Sequence, residues 1–423
     1  MRHGTPLLAL FFLLCTGPAG AAEIDVPADP VAIVLAIATA QPGDILRLAP
    51  ISYTGPIVID RPLTLIGVAG SAIVGPGTGT VVRVSASDVR VEGIAIQGSG
   101  KVLSELDAGI ALEQSAERVA VIGNVLTGNL IGIDVQGARD ALVRGNSIDG
   151  RRDLHRSERG AGIYVWNAPG LVAEDNVISG GSDGIFITSS NEALYRRNRI
   201  SDVRFAVHSM YSNGLTVVGN HSSGNEMGYA FMYSHHLTVQ HNLSEDDRTH
   251  GFFFNFVNYS TMAGNEVREG GEKCLFIYNS NRNTIAANRF AGCDIGIHFT
   301  AGSEGNAISA NAFVGNRNQV KYVGTRWLEW SMEGAGNYWS DHAAFDINGD
   351  GIADSPYRPN DLIDRIAWSQ PMAKLLMGSP AVQLIRWSQS RFPGLMPGGV
   401  IDSHPMMSPV RTGVASGDMS NVH

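Results

Sequence analysis

An asparagine closes a short β-rich phrase nine times along this chain, at Asn124, Asn146, Asn176, Asn198, Asn220, Asn242, Asn265, Asn288 and Asn311. The steps between copies are 22, 30, 22, 22, 22, 23, 23 and 23 residues. A second marker, Gly followed by an apolar residue, precedes most copies: Gly132-Ile133, Gly162-Ile163, Gly184-Ile185, Gly228-Tyr229, Gly251-Phe252 and Gly296-Ile297. A period of this length, rich in β-branched residues, is too short for paired helices. The leucine pattern of leucine-rich repeats is missing. Both facts lead to an all-β chain wound as a right-handed parallel β-helix, in which each turn pairs with the next at the ~4.8 Å strand spacing. Asn side chains at one corner can then hydrogen-bond their copies along the axis. Of 26 Asn, 24 lie between Asn124 and Asn348, where such a ladder and its turns need them. Gly, at 50 of 423 residues, supplies corner conformations that other residues adopt only at a cost.

Leu63–Val68 and the Gly93-Ile94 phrase read as earlier, more degenerate coils. Two steps of 30 residues place insertions at the same corner, Gly98–Ala108 and Gly150–Gly160, which should project as neighbouring loops. The second, with Arg151, Arg152, His155 and Arg156, is basic, and reads as a solvated loop or a docking surface. The first 22 residues read as a signal peptide: Arg2 and His3, the apolar run Leu7–Cys15, then small residues. That run is too short to span a membrane. The β-helix should occupy residues 23–316. Beyond it five of six Trp, helix-like spacing over Pro371–Phe392 and a Pro/Met-rich tail suggest a C-terminal cap with short helices over 317–423. Net charge is −9 with only four Lys, which excludes nucleic acid as a partner. Cys274 and Cys293 allow either a disulfide or two separate thiols.

Three constellations carry chemistry. His208–His250 holds six of the twelve His and three of the twelve Met. Counting two and four residues past each Gly slot puts His208 and Met210 on one coil with Met232 beside Met210, all facing outward. Met227 and His250 share a second column at the adjoining corner, and His235-His236 follow Met232 on its turn. Thioethers and imidazoles at that spacing suit transient Cu(I). The alternative is an apolar stripe covered by a protein partner. The second constellation, Asp346, Asn348, Asp350, the Ile352 carbonyl and Asp354, follows a calcium loop, but Tyr357 stands where a bidentate Glu belongs. It reads equally as a metal-free turn. The third is Glu113 with Asp134, a potential carboxylate pair of a polysaccharide lyase or hydrolase, which would need the two ~5–9.5 Å apart. A coincidental surface pair is the simpler reading, and with it a chain that is not an enzyme.

The phrases GDILRLAPISYTG at Gly43–Gly55, the Asn-ending coils, GNYWSDHAAFDINGDGIADSPYRPNDLIDR at Gly336–Arg365 and FPGLMPGGVIDSHPMMSP in the tail resemble the NosD family. The resemblance implies a periplasmic maturation protein for nitrous oxide reductase. It implies work with an ABC transporter's membrane subunit and, through it, its ATPase, copper taken from a periplasmic donor, and delivery toward the reductase's copper–sulfide centre. In the tail, Met406 and Met407 are expected to anchor in an apolar groove of the cap or of the membrane subunit, with Cu(I) binding by His404, Met406 and Met407 the lesser reading.

Overall fold

The computed structural model describes residues 21–359, 379–391 and 399–410, with Met372 and Leu376. The expected leader lies outside them except for its last two residues, and so does much of the 360–398 stretch.

Three parallel sheets of 13, 12 and 13 strands run the length of the molecule. Each turn of chain adds one short strand to each sheet, as the 22–23-residue period requires. Strands of the 13-membered sheets are mostly three residues long with only the middle side chain buried, as in Thr216–Val218. The 12-stranded sheet carries the longest strands, six residues in Phe205–Met210, Met227–Met232 and His250–Asn255. The three walls enclose one apolar column, from Val26 and Leu46 through Tyr195, Phe231 and Phe254 to Phe313 and Trp339. Its N-terminal end is closed by the helix Ala32–Thr39, which buries Ile33 and Ile37.

The ladder is real, and its hydrogen bonds explain the invariant choice of Asn. Each amide is fully buried and uses both its oxygen and its nitrogen. Asn220 Oδ1 accepts from the backbone N–H of Asn198 at 3.0 Å and from Asn198 Nδ2 at 2.9 Å. Asn220 Nδ2 donates to Tyr195 O and to Asn242 Oδ1, both at 2.9 Å. A carboxylate cannot donate, and a hydroxyl is too short to reach both neighbours. The residue before each Asn adopts the left-handed conformation, φ 65° at Gly219 and 53° at Arg197. The Gly slots are glycine for a different reason: a Cβ on Gly228 would lie 2.5 Å from the carbonyl oxygen of Gly251.

The parallel pairing continues past Asn316. Asn318–Val323 joins the 12-stranded sheet and Tyr338–Trp339 pairs with Ala312–Val314. Asn337 is a tenth rung, 26 residues after Asn311, whose backbone N–H it accepts at 3.1 Å. The tail then closes this end. Gly399–Ile401 pairs with Trp327–Glu329, and Asp402 accepts from Asn337 N at 2.7 Å and Trp339 Nε1 at 2.8 Å. Pro380–Arg391 is helical.

Cys274 and Cys293 are joined by a disulfide, with Cα atoms 5.7 Å apart. Lys101 meets Asp153 at 3.1 Å, so the two insertion loops are neighbours as the spacing predicts. The basic character of the second loop is neutralised locally. Arg151 pairs with Asp153, Arg152 with Asp149 and Asp202, and Arg156 with Glu226. That removes the charge argument for docking at this loop.

Candidate functional site

The candidate residues sit on the outer side of the 12-stranded sheet. Pairing within this sheet skips Ala206 and Gly228, where each strand bends at the corner. The bend turns two successive side chains inward, so positions 205, 208 and 210 face outward on one strand and 227, 230 and 232 on the next. Met210 and Met232 are direct cross-strand partners, as are Met227 and His250. Both columns stand where the register count placed them.

His208 differs from expectation in one respect. It lies on the outer side but is only 8% exposed. Phe205 and Phe186 cover it, with ring centroids 4.5 and 4.9 Å from the imidazole. Its Nδ1 lies 3.0 Å from Asp183 Oδ2. The same carboxylate receives Arg204 Nε and Nη2, both at 2.9 Å. Burial alone would raise the Asp183 pKa, but the bonds from His208 and Arg204 outweigh it and hold the carboxyl below its usual range. An ionised Asp183 only accepts, so Nδ1 carries a proton in this contact and Nε2 is the nitrogen left facing the wall. That Nε2 is buried and has no hydrogen-bond partner.

His208 Nε2 is not alone. Asn255 Oδ1, His250 Nδ1 and His298 Nδ1 are also buried and unpartnered. All four belong to outward positions of this wall: Asn255 is the cross-strand partner of Met232, and His298 is in register with Phe276. Burial, with Lys273 adding to it, lowers the pKa of His250. Burial and the nearby Lys321 and Lys273 push His298 down to about 4. An unsatisfied buried polar atom costs roughly 1–3 kcal/mol, so four on one face call for a reason.

The remaining candidates do not join this group. His235 and His236 lie around the corner, both exposed, with His236 stacked on Tyr259 at 5.5 Å. Asp346 accepts the backbone N–H groups of Gly349 and Gly351 at 2.6 and 2.8 Å, and Asp354 that of Ile347 at 2.7 Å. Asn348 donates to Asp350, which also accepts from Ile352 N. The calcium-like loop is thus closed by its own backbone. Among the described residues no three His, Cys, Asp or Glu side chains converge as a metal site. Glu113 is half-buried and paired with Arg83 at 2.9 Å. Asp134 is buried, accepts from Gln136 Nε2 at 2.7 Å, and is raised by desolvation to about 6. The two carboxyl groups therefore stand in separate environments. Met406 bridges to Tyr338 and Ile352, and His404 Nδ1 lies 3.1 Å from Ser331 Oγ, so this part of the tail is built into the cap.

Asp183, Arg204, Asn255 and His298 belong to the site and were not singled out from the sequence. Register does place them: Asp183 precedes a Gly slot one coil before Phe205. What the sequence lacks is a sign that a buried acid beside a Gly marker is anything but a turn residue.

Among solved structures, the chain is similar to DFA-IIIase from Arthrobacter chlorophenolicus A6 in complex with GF2, with a TM-score of 0.53 and 14% identity. The match covers 73% of this chain and all of that one (100%). At that identity the likeness concerns the fold alone. No helix among the described residues is long and apolar enough to cross a membrane. The family model described as "Periplasmic copper-binding protein (NosD)" matches residues 144–344, the stretch that includes the wall just described. A "Probable ABC transporter binding protein NosD" of Stutzerimonas stutzeri is 42% identical over 375 residues, 85% of this chain and 86% of that protein. A protein of the same description from Pseudomonas aeruginosa is 40% identical over 396 residues, covering 88% and 92%. With a right-handed parallel β-helix built on a continuous Asn ladder and relatives this similar over nearly the whole length, the chain belongs to the NosD family.

Proposed function

We propose that this chain is a non-catalytic periplasmic assembly factor that holds Cu(I) in transit on the 12-stranded wall. It works with an ABC transporter in building the copper–sulfide centre of nitrous oxide reductase. The observation that carries the copper assignment is His208 Nε2, a buried ring nitrogen without a partner, aimed by Asp183 on a wall that also presents Met210, Met232 and Met227. A carboxylate that fixes the far nitrogen is the usual support for a metal-bound imidazole. Thioethers with a single imidazole favour Cu(I) over calcium or zinc, which ask for oxygen, thiolate or several imidazoles. Copper is cargo in this reading, bound weakly enough to leave.

A Cu(I) competition titration of the full chain tests the assignment. Met210→Leu/Met232→Leu, which keeps the apolar area, and His208→Gln should each weaken binding by about tenfold or more. Wild-type affinity in both variants discards the wall as a copper site. The cellular role is tested by expressing the reductase and transporter with and without this chain. A reductase that gains its copper–sulfide spectrum in both cases overturns the assembly role.

A further inference from the structure

The corner that follows the copper wall carries a second feature on the same coils. Asn167, Ser189, Tyr211, Tyr233, Phe256 and Asn279 occupy one column, and all six have left-handed backbone, φ 46–53°. That conformation is costly for residues with a Cβ and least so for Asn. Asn stands at both ends of the column, yet three aromatics fill its centre. They serve no core: Tyr211, Tyr233 and Phe256 are 54%, 42% and 39% exposed. Their rings stack at 5.0 and 5.1 Å with interplanar angles of 11°. They follow Met210, Met232 and Asn255 directly in the chain, so the ladder borders the soft-ligand column along its length.

We propose that the Tyr211–Tyr233–Phe256 ladder is the docking strip for a transient, copper-carrying protein partner; this rests on the copper reading above. Three arguments select that occupant. The ladder and the neighbouring column from Trp166 to Tyr278 contain no charged residue, although the chain carries a net −9. The strip therefore fits an uncharged apolar face rather than a charge-steered one. The column spans six coils, roughly 24 Å at the ~4.8 Å spacing. A strip of that length and about half that width buries roughly 600 Å² in total, the range of encounters that form and separate rather than of permanent assemblies. Finally, Tyr211 and Tyr233 stand next to Met210 and Met232, so a protein that exchanges copper at those thioethers meets the rings as well.

The test uses Tyr211→Asn/Tyr233→Asn/Phe256→Asn, because Asn already occupies this column at the same φ and the variant relieves strain. Its melting temperature should match or exceed wild type, and its Cu(I) affinity against a bathocuproine competitor should be unchanged. In cells containing the transporter, p-benzoylphenylalanine in place of Trp166 should cross-link, on copper addition, to a protein that itself carries copper. The triple Asn change should cut that yield by about tenfold. Undiminished yield overturns the proposal. So does a cross-link to the transporter's membrane subunit or to a second copy of this chain, and so does no cross-link at all. Failure of wild-type chain to bind Cu(I) removes the copper reading instead, and the titration reports that separately.

Discussion

Asp402 Oδ2 accepts the backbone N–H of Asn337 at 2.7 Å, and with that bond the tail ends the Asn ladder. Every other rung from Asn124 to Asn311 meets another amide; the last one meets a carboxylate reached from 65 residues away. Burial raises the pKa of Asp402, against the bonds from Asn337 and Trp339. The tail is therefore a structural closure before it is anything else.

Removing residues 399–423 should uncap the helix. Asn337 loses its acceptor, Trp339 its partner, and Trp327–Glu329 its paired strand. The expected result is a lower, less cooperative melt with aggregation on gel filtration. Asp402→Ala alone should cost on the order of 3 kcal/mol in urea denaturation, the penalty for leaving several buried donors without an acceptor. A truncated chain that melts like wild type would show that the closure lies elsewhere.

Asn220→Ala deletes five hydrogen bonds in the middle of the ladder and leaves Asn198 and Tyr195 with unpaired buried groups. We expect a loss of about 2–4 kcal/mol. Asn213 also accepts from the next coil, at His235 N, but at an exposed corner. Asn213→Ala should stay within about 0.5 kcal/mol of wild type, because water replaces the missing acceptor. Comparable losses at the two positions would deny the buried ladder its special weight.

His298 gives a pH signature. Its folded pKa, about 4, lies below the ordinary 6.5. Between those values the unfolded chain takes up a proton that the folded chain does not, so stability falls as pH drops through that window. His298→Phe preserves the stack on Phe276, 4.6 Å away in the native chain, and cannot titrate. The difference between the variant and wild type should grow in the variant's favour from pH 7 to pH 4.5. Partial exposure of the ring limits the change to on the order of 1 kcal/mol. Urea midpoints at the two pH values measure it, and a constant difference would remove His298 as the source.

The fold was legible because a β-helix repeats one set of local demands on every turn. Asn124 through Asn311 announce the period, and a fixed period fixes which residues stack. Hence Met210 beside Met232 and Met227 beside His250 could be counted off from the Gly slots. The tenth rung, Asn337, escaped because its step of 26 residues breaks the period, and its acceptor Asp402 comes from the tail. The Gly slot was correctly located but wrongly explained: Gly228 makes room for a neighbouring carbonyl, whereas the left-handed corner sits at Gly219. The acid-rich loop at Asp346 reads equally as a calcium loop and as a metal-free turn in sequence, because carboxylates that accept from backbone N–H groups leave the same pattern as carboxylates that bind calcium.

By itself the sequence determined which residues share a column, because register in a parallel solenoid is an arithmetic property of the repeat. It could not determine what covers a column. The tertiary structure decided that His208, though outward, is roofed by Phe205 and Phe186 and held by Asp183, the carboxylate that Arg204 also pairs with. It decided that Cys274 and Cys293 come within bonding range, that the basic loop spends its charge on Asp153, Asp202 and Glu226, and that the tail returns to the last rung. Each of those outcomes depends on side chains meeting across coils or from distant segments. Their distances are set by packing in three dimensions, to which a one-dimensional period carries no reference.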